Sequence, residues 1–217
     1  MPRDVWSAGL GAPEEARRGA GAQTQQHTPA SPTHLTHTPG FAVVPGDDDG
    51  RNGKAEWIVD GRLYSLAQFH YHSPSEHTLN GERLPLEVHF VHVASDGTGD
   101  LAVFGILYPY DTLNQVPNPL LRPFWDEIFK PQRVPLSEVN VSGMLLDVLG
   151  NPFQRYYRYN GSLTTPPCGE GVKWHVAISR TGINTAQRVV YQYAINLVDN
   201  HREAQPLHGR VVQRFNA

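Results

Sequence analysis

The residues with the most chemistry to offer lie close together: Gln68-Phe69-His70-Tyr71-His72, Ser75-Glu76-His77 and Glu87-Val88-His89-Phe90-Val91-His92. On an extended strand His70 and His72 share one face. His89 follows 17 residues after His72, a gap that suits a return into the same sheet through Ser73 to Leu84. Three histidines gathered in this way suit a tetrahedral ion with one position left for water, the arrangement of catalytic rather than structural zinc. Gln68 and Glu87 each stand two residues before a histidine and share its face, where a side-chain oxygen can hold the second ring nitrogen and fix the tautomer. The plain alternative is a set of surface or hydrogen-bonded packing histidines. Against it, Leu84-Pro85-Leu86 and Phe90-Val91 flank His89 as in a strand entering a core. His77 and His92 are weaker ligand candidates, and a straight strand points His92 away from His89.

A second chemical element is Gly161-Ser162-Leu163-Thr164-Thr165-Pro166-Pro167-Cys168. Two prolines fix this loop and remove two backbone donors. A threonine hydroxyl has one proton to donate. If Glu76 accepts it, the Thr164 oxygen must accept the proton of a hydroxide at the metal, which leaves the hydroxide lone pair free to attack. A rigid surface turn is the alternative reading of this loop.

Strands are needed to position these groups, and the pattern supplies them. Phe41 to Val44 reads as a short strand, and so does Glu56 to Val59, closed by the hairpin signal Asp60-Gly61. Leu63 to His72 and Leu86 to Ala94 follow as strands. Leu101 to Leu107 is almost wholly apolar, as in a strand covered on both faces, and Val172 to Ile178 alternates. Leu121 to Phe129 reads as a short amphipathic helix. Asn184 reads as an N-cap with Gln187 three residues on, followed by a helical face of Ala186, Val189, Val190, Tyr193, Ala194 and Leu197.

A chain of 217 residues fits one domain with a sizeable core. A net charge of −3 without basic runs argues against nucleic-acid binding. No apolar run approaches the length of a membrane span, and Met1 to Glu15 lacks the apolar core of a signal peptide. Cys168 is the only cysteine, so no disulfide forms within the chain. Residues 1–32, rich in small and polar residues, read as a disordered or atypical N-terminal extension. Asp47 to Gly53 reads as a solvated loop without calcium-site spacing.

Taken together, these blocks resemble the alpha-class carbonic anhydrases, in their bacterial and algal branches. The resemblance rests on Tyr64-x-Leu66-x-Gln68-Phe69-His70-x-His72-x-Pro74-Ser75-Glu76-His77 and Leu86-Glu87-x-His89-x-Val91-His92. Leu101-Ala102-Val103, the 161–168 loop, Trp174 and Gln205-Pro206-Leu207-x-Gly209-Arg210 follow in order. It implies a mainly β fold, with a large twisted, mainly antiparallel central sheet and short peripheral helices, over a catalytic domain of residues 33–217. It implies Zn2+ held by His70, His72 and His89, with Gln68 and Glu87 behind two of them. Thr164 and Glu76 would orient a zinc-bound hydroxide. Val91, Val103, Leu163, Val172 and Trp174 would form the apolar wall for carbon dioxide, and Thr165 would line the bicarbonate side. His37, in Leu35-Thr36-His37-Thr38, is the expected proton shuttle, with His34 and His27 as competitors. The partners implied are carbon dioxide and bicarbonate, with the chain expected to be a monomer and Cys168 a reduced thiol. The family's tryptophan-rich opening and Gln-Ser-Pro strand have no counterpart, so the domain is expected to be N-terminally incomplete. The competing expectation is a catalytically silent or unstable relative serving as a binding module. Localisation is left open.

Overall fold

Turn chemistry sets the first ladder. Glu56–Val59 (β3) and Arg62–His72 (β4) pair antiparallel across Asp60-Gly61, whose φ of 52° and 75° are the left-handed values that a two-residue hairpin turn needs. The computed structural model describes residues 6–7, 42–43, 56–111, 117–121, 144, 155–195 and 197–216. Leu86–Ala94 (β7) lies antiparallel to β4, and Leu101–Tyr108 (β8) antiparallel to β7. Glu170–Ile178 (β10) then joins β8 in parallel. Arg155–Ser162 (β9) and Gln213–Asn216 (β11) extend that side antiparallel, while Ala42–Val43 (β2) adds to β4. The sheet runs β11-β9-β10-β8-β7-β4-β2, with β3 also paired to β4. Trp6–Ser7 (β1), Thr78–Leu79 (β5) and Glu82–Arg83 (β6) form a second, small sheet.

The mainly β architecture with peripheral helical turns is therefore present; among the described residues β8–β10 is the parallel strand pair, and a single parallel bridge joins Tyr110 and Ile183. The strands expected at 56–59, 63–72, 86–94, 101–107 and 172–178 all form. Ala42–Val43 is the described part of the strand expected at 41–44. Thr185–Ala194 (α1) begins with the expected capping box: Asn184 Oδ1 accepts from Gln187 N at 2.8 Å, and Gln187 Oε1 accepts from Asn184 N at 3.4 Å. Of the helix expected over 121–129, only Leu121 is described, in a 3-10 turn at Pro119–Leu121. Within residues 1–32 only Trp6–Ser7 is described, paired to β5. Among the described residues no helix is long and apolar enough to cross a membrane.

The sheet has two differently used faces. One carries Phe69 and Tyr71 of β4, Val88 and Phe90 of β7, and Phe104 and Ile106 of β8 in a core that also takes Tyr191 and Ile195. The other carries Val91, Val103, Tyr157, Tyr159, Val172, Trp174 and Val176. A bulge in β4 decides which face the histidines take. Leu66 pairs with His92 and Gln68 with Val91, so Ala67 is the extra residue. Leu66 and Phe69 thereby share the first face, and Gln68, His70 and His72 are turned to the second. The tie from α1 runs through Tyr191, whose hydroxyl donates to the Tyr71 carbonyl at 2.7 Å.

Candidate metal and active site

Strand register brings the three histidines together. His70 lies directly across from His89 in the β4–β7 ladder, and His72 across from Glu87. The ring centroids are 5.1 Å apart for His70 and His89, 4.7 Å for His72 and His89, and 4.9 Å for His70 and His72. Their candidate ligand atoms all lie within 4.8 Å of one another.

Each ring is held by its outer nitrogen. His70 Nδ1 donates to Gln68 Oε1 at 2.9 Å, His72 Nδ1 to the Asn200 carbonyl at 3.0 Å, and His89 Nε2 to Glu87 Oε1 at 2.7 Å. A neutral imidazole that donates from one nitrogen presents a lone pair at the other. The lone pairs of His70 Nε2, His72 Nε2 and His89 Nδ1 therefore converge on one space. Burial, then the facing His72 and His89, holds the His70 pKa well below its ordinary value. Burial likewise lowers His72, so both rings are neutral near pH 7. Burial also opposes charge on His89, but the Glu87 carboxylate outweighs it and raises the His89 pKa. Burial would favour a protonated Glu87, yet His77 and His89 hold it well below the usual carboxylate range.

The donor set fits a zinc ion. Three imidazoles whose outer nitrogens are fixed by hydrogen bonds are the ligands of a catalytic zinc site with a fourth position left open, and at His89 the ion would take the place of the inner proton that Glu87 favours. His72 Nε2 is buried without a hydrogen-bond partner, as a ring nitrogen reserved for an ion would be. Glu76 completes the surroundings. Its Oε1 accepts from Arg202 N at 2.8 Å. Its Oε2, buried and without a hydrogen-bond partner, lies 3.5 Å from His72 Nε2 and 3.8 Å from His89 Nδ1.

The bond expected between Thr164 and Glu76 is not formed here, because Glu76 Oε2 faces the histidine nitrogens instead. Thr164 and Thr165 are half-buried on the loop that follows β9, closed by Leu163 N to Gly169 O and Cys168 N to Thr165 O, both 2.9 Å. Cys168 is a free thiol in this loop. The expected apolar wall forms one cluster: Val91, Val103, Val172 and Trp174 are buried in it, and Leu163 packs at its edge. Trp174 brings that wall to the metal site, its ring 4.8 Å from that of His89, and its indole N–H donates to Ser162 O at 3.0 Å. His37, the expected shuttle, and its competitors His34 and His27 lie outside the described residues.

Several contributors escaped the sequence reading. His77, ranked there as a weak ligand, instead donates from Nδ1 to Glu87 Oε1 at 2.6 Å and accepts at Nε2 from the Tyr159 hydroxyl at 2.7 Å. Glu87 Oε2 accepts the backbone N–H groups of Glu76 and His77, each at 2.9 Å. One carboxylate thus organises His89, His77 and the Glu76 segment. Asn200 clamps the end of β4: Oδ1 accepts from Ser73 N at 2.8 Å and Nδ2 donates to Tyr71 O at 2.9 Å. Arg83 donates to the carbonyls of Ser75 and Glu76 at 2.6 and 2.9 Å. Asn200, Arg202 and Tyr159 act across long sequence separations and carried no local signal. His92 behaves as expected, facing away from the site with Nδ1 donating to Phe90 O at 3.0 Å.

Comparison with known proteins agrees with this geometry. The family profile described as eukaryotic-type carbonic anhydrase matches residues 40–216. A carbonic anhydrase of Pectobacterium carotovorum is 34% identical over 155 residues, covering 71% of this chain and 60% of that protein. Alpha carbonic anhydrase 3 of Arabidopsis thaliana is 37% identical over 163 residues, covering 71% and 54%. The chain thus spans somewhat more than half the length of these curated relatives. The solved alpha-carbonic anhydrase of Thermovibrio ammonificans, in complex with the inhibitor sulfanilamide, superposes with a TM-score of 0.62 at 36% identity, over 74% of this chain and 67% of that one. From the profile, these relatives and the histidine geometry together, the chain belongs to the alpha carbonic anhydrase family.

Proposed function

We propose that this protein catalyses the reversible hydration of carbon dioxide to bicarbonate and a proton, with a zinc ion held by His70 Nε2, His72 Nε2 and His89 Nδ1. The observation that carries the reading is the set of three outer-nitrogen hydrogen bonds, which leaves three lone pairs facing one buried space. Bound there, zinc would supply a nucleophile by letting water ionise near neutral pH. Gln68, the Asn200 carbonyl and Glu87 fix the ring orientations. Val91, Val103, Leu163, Val172 and Trp174 offer carbon dioxide, which has no net charge or dipole, an apolar wall beside His89. With an ion on the histidine nitrogens that Glu76 Oε2 now faces, that oxygen would be free to turn to Thr164, which would donate its one proton there and accept from the attacking hydroxide, directing a lone pair at the carbon. Thr165 would border the side from which the bicarbonate anion leaves. His37 would carry the released proton to solvent, because a histidine near its ordinary pKa exchanges protons at physiological pH. The reading takes the chain as a monomer.

All three histidines are kept, with their tautomers set, and this favours an enzyme over a silent relative. Stopped-flow hydration of carbon dioxide by the zinc-loaded protein, with metal content measured on the same sample, tests the reading. A rate well above buffer is expected. One zinc per chain with no rate above buffer would refute it.

A further inference from the structure

Gly105 sits in the middle of β8, between His89 on β7 and Val176 on β10. It is not among the residues with positive φ, so the backbone does not ask for glycine. Mid-strand glycine weakens a strand by its conformational entropy and its lack of a side chain to pack. What glycine supplies here is room. A Cβ at this position would stand 3.0 Å from Glu87 Oε1, closer than such atoms ordinarily approach, while His89 Cδ2 and Val176 Cγ2, at 3.6 Å, would be in ordinary contact.

A carboxylate at the end of a flexible side chain usually swings aside. Glu87 is held against doing so. Its Oε1 accepts from His77 Nδ1 at 2.6 Å and His89 Nε2 at 2.7 Å, its Oε2 from the N–H groups of Glu76 and His77 at 2.9 Å each, and the residue is fully buried. A displacement of a few tenths of an ångström would stretch these bonds together.

We propose that Gly105 is a positioning residue for the histidine centre: its missing side chain keeps open the space in which the Glu87 carboxylate orients His89 and tethers the Glu76 segment. The proposal rests on the zinc reading above for its consequence, but its geometry concerns this chain's own atoms. Gly105→Ala is then expected to act on metal binding through the carboxylate, since its other contacts, with His89 Cδ2 and Val176 Cγ2, are ordinary ones.

The test is a double-mutant cycle on the full chain, with zinc affinity measured by competition with a chelator in the parent, Gly105→Ala, Glu87→Ala and the double variant. Gly105→Ala is expected to weaken zinc binding by about 10- to 100-fold, the usual effect of disturbing a ligand's hydrogen-bond partner. In the Glu87→Ala background, with the carboxylate gone, the added methyl is expected to change affinity by less than about twofold. Unchanged affinity in Gly105→Ala would overturn the proposal, as would an equal loss in both backgrounds. Amide nitrogen-proton spectra of metal-free parent and Gly105→Ala give a readout that needs neither zinc nor a folded Glu87→Ala. The Glu76 and His77 amide signals are expected to move, while those of β3 and α1 stay. Stationary Glu76 and His77 signals would overturn it. A parent that takes up no zinc would sink the enzymatic reading alone, leaving the amide result to decide on Gly105.

Discussion

Acid should destabilise this protein from the face of the sheet opposite the metal site. His92 and His175 are buried there, 4% and 5% exposed, both against Trp57, with ring distances of 5.3 and 4.5 Å. Burial is the largest cause that lowers both pKa values, from 6.5 to about 4. For His175 the Arg158 and Lys173 charges add to the lowering, and Asp60, ion-paired to both, opposes it. Above pH 6.5 these histidines are neutral whether the chain is folded or not, and stability is full. Between 6.5 and about 4 the unfolded chain takes up protons that the folded chain refuses, so stability falls as pH falls. Below about 4 both states are protonated and the loss levels off. That interval corresponds to about 3 kcal/mol per histidine, at about 1.4 kcal/mol per pH unit. Against a typical domain stability of about 5–15 kcal/mol, the pair together is a large fraction. The assay is urea unfolding of metal-free protein at pH 7.5 and pH 4.5, comparing the parent with His175→Phe, which keeps a ring against Tyr156. Groups other than His175 titrate alike in both proteins and cancel in the difference. The parent is expected to lose about 2.5 kcal/mol more than His175→Phe between the two pH values, because pH 4.5 samples about two of the pH units in that interval. Parallel losses, within about 1 kcal/mol, would refute the argument that burial keeps His175 neutral.

Three further predictions concern the site. His89→Ala removes one candidate ligand and one of the four hydrogen bonds on the Glu87 carboxylate, so zinc binding and hydration activity are expected to vanish together, read by metal analysis and stopped-flow kinetics. Thr164→Ala leaves the histidines intact; one zinc per chain should be retained, while turnover falls by about 10²-fold, as when one oriented hydrogen-bonding group is removed from a reacting oxygen. His37→Ala should lower turnover in weak buffer by about 10²-fold, with recovery in concentrated imidazole and unchanged zinc content, whereas equal turnover of parent and variant in weak buffer would remove His37 from the mechanism.

The gathering of the three candidate ligands was legible because a strand's two-residue period and a short return loop are local properties. Asp60-Gly61, the apolar run of β8 and the Asn184–Gln187 box were legible for the same reason. β9 was not: Arg155-Tyr156-Tyr157-Arg158-Tyr159 interleaves charge with aromatics and has no aliphatic run, although Tyr157 and Tyr159 are buried in the core. β5 and β6 passed as plain connection, although Asn80-Gly81 between them takes φ of 54° and 85° and is a hairpin turn of the same kind as Asp60-Gly61. The bulge at Ala67 and the parallel β8–β10 pair depend on neighbours that the local sequence does not name. The same holds for the site's supports. The Asn200 carbonyl that orients His72, the Arg202 N–H on Glu76 and the Tyr159 hydroxyl on His77 all arrive from the far half of the chain. Gly105 did leave a signal, a glycine inside a buried strand, whose meaning required the Glu87 carboxylate to be in place.

The parallel pairing of β8 with β10 also divides the molecule in time. The β4–β7 and β7–β8 ladders join neighbouring segments, and His70 meets His89 across a short loop. Ala102 meets Lys173 only after about seventy residues of intervening chain are closed into a loop, and closure entropy must be met before those contacts stabilise anything. The three histidines are therefore expected to order early, with the locally wired half of the sheet, and Trp174 and Thr164 with the half that docks later. A nascent chain released through β8 already carries all three candidate ligand nitrogens, so an ion captured at that stage would bias the remaining search before the proposed substrate wall exists. Pulse-labelled hydrogen exchange during refolding would register this order as protection of the Val88 and Phe90 amides ahead of those of Trp174 and Val176.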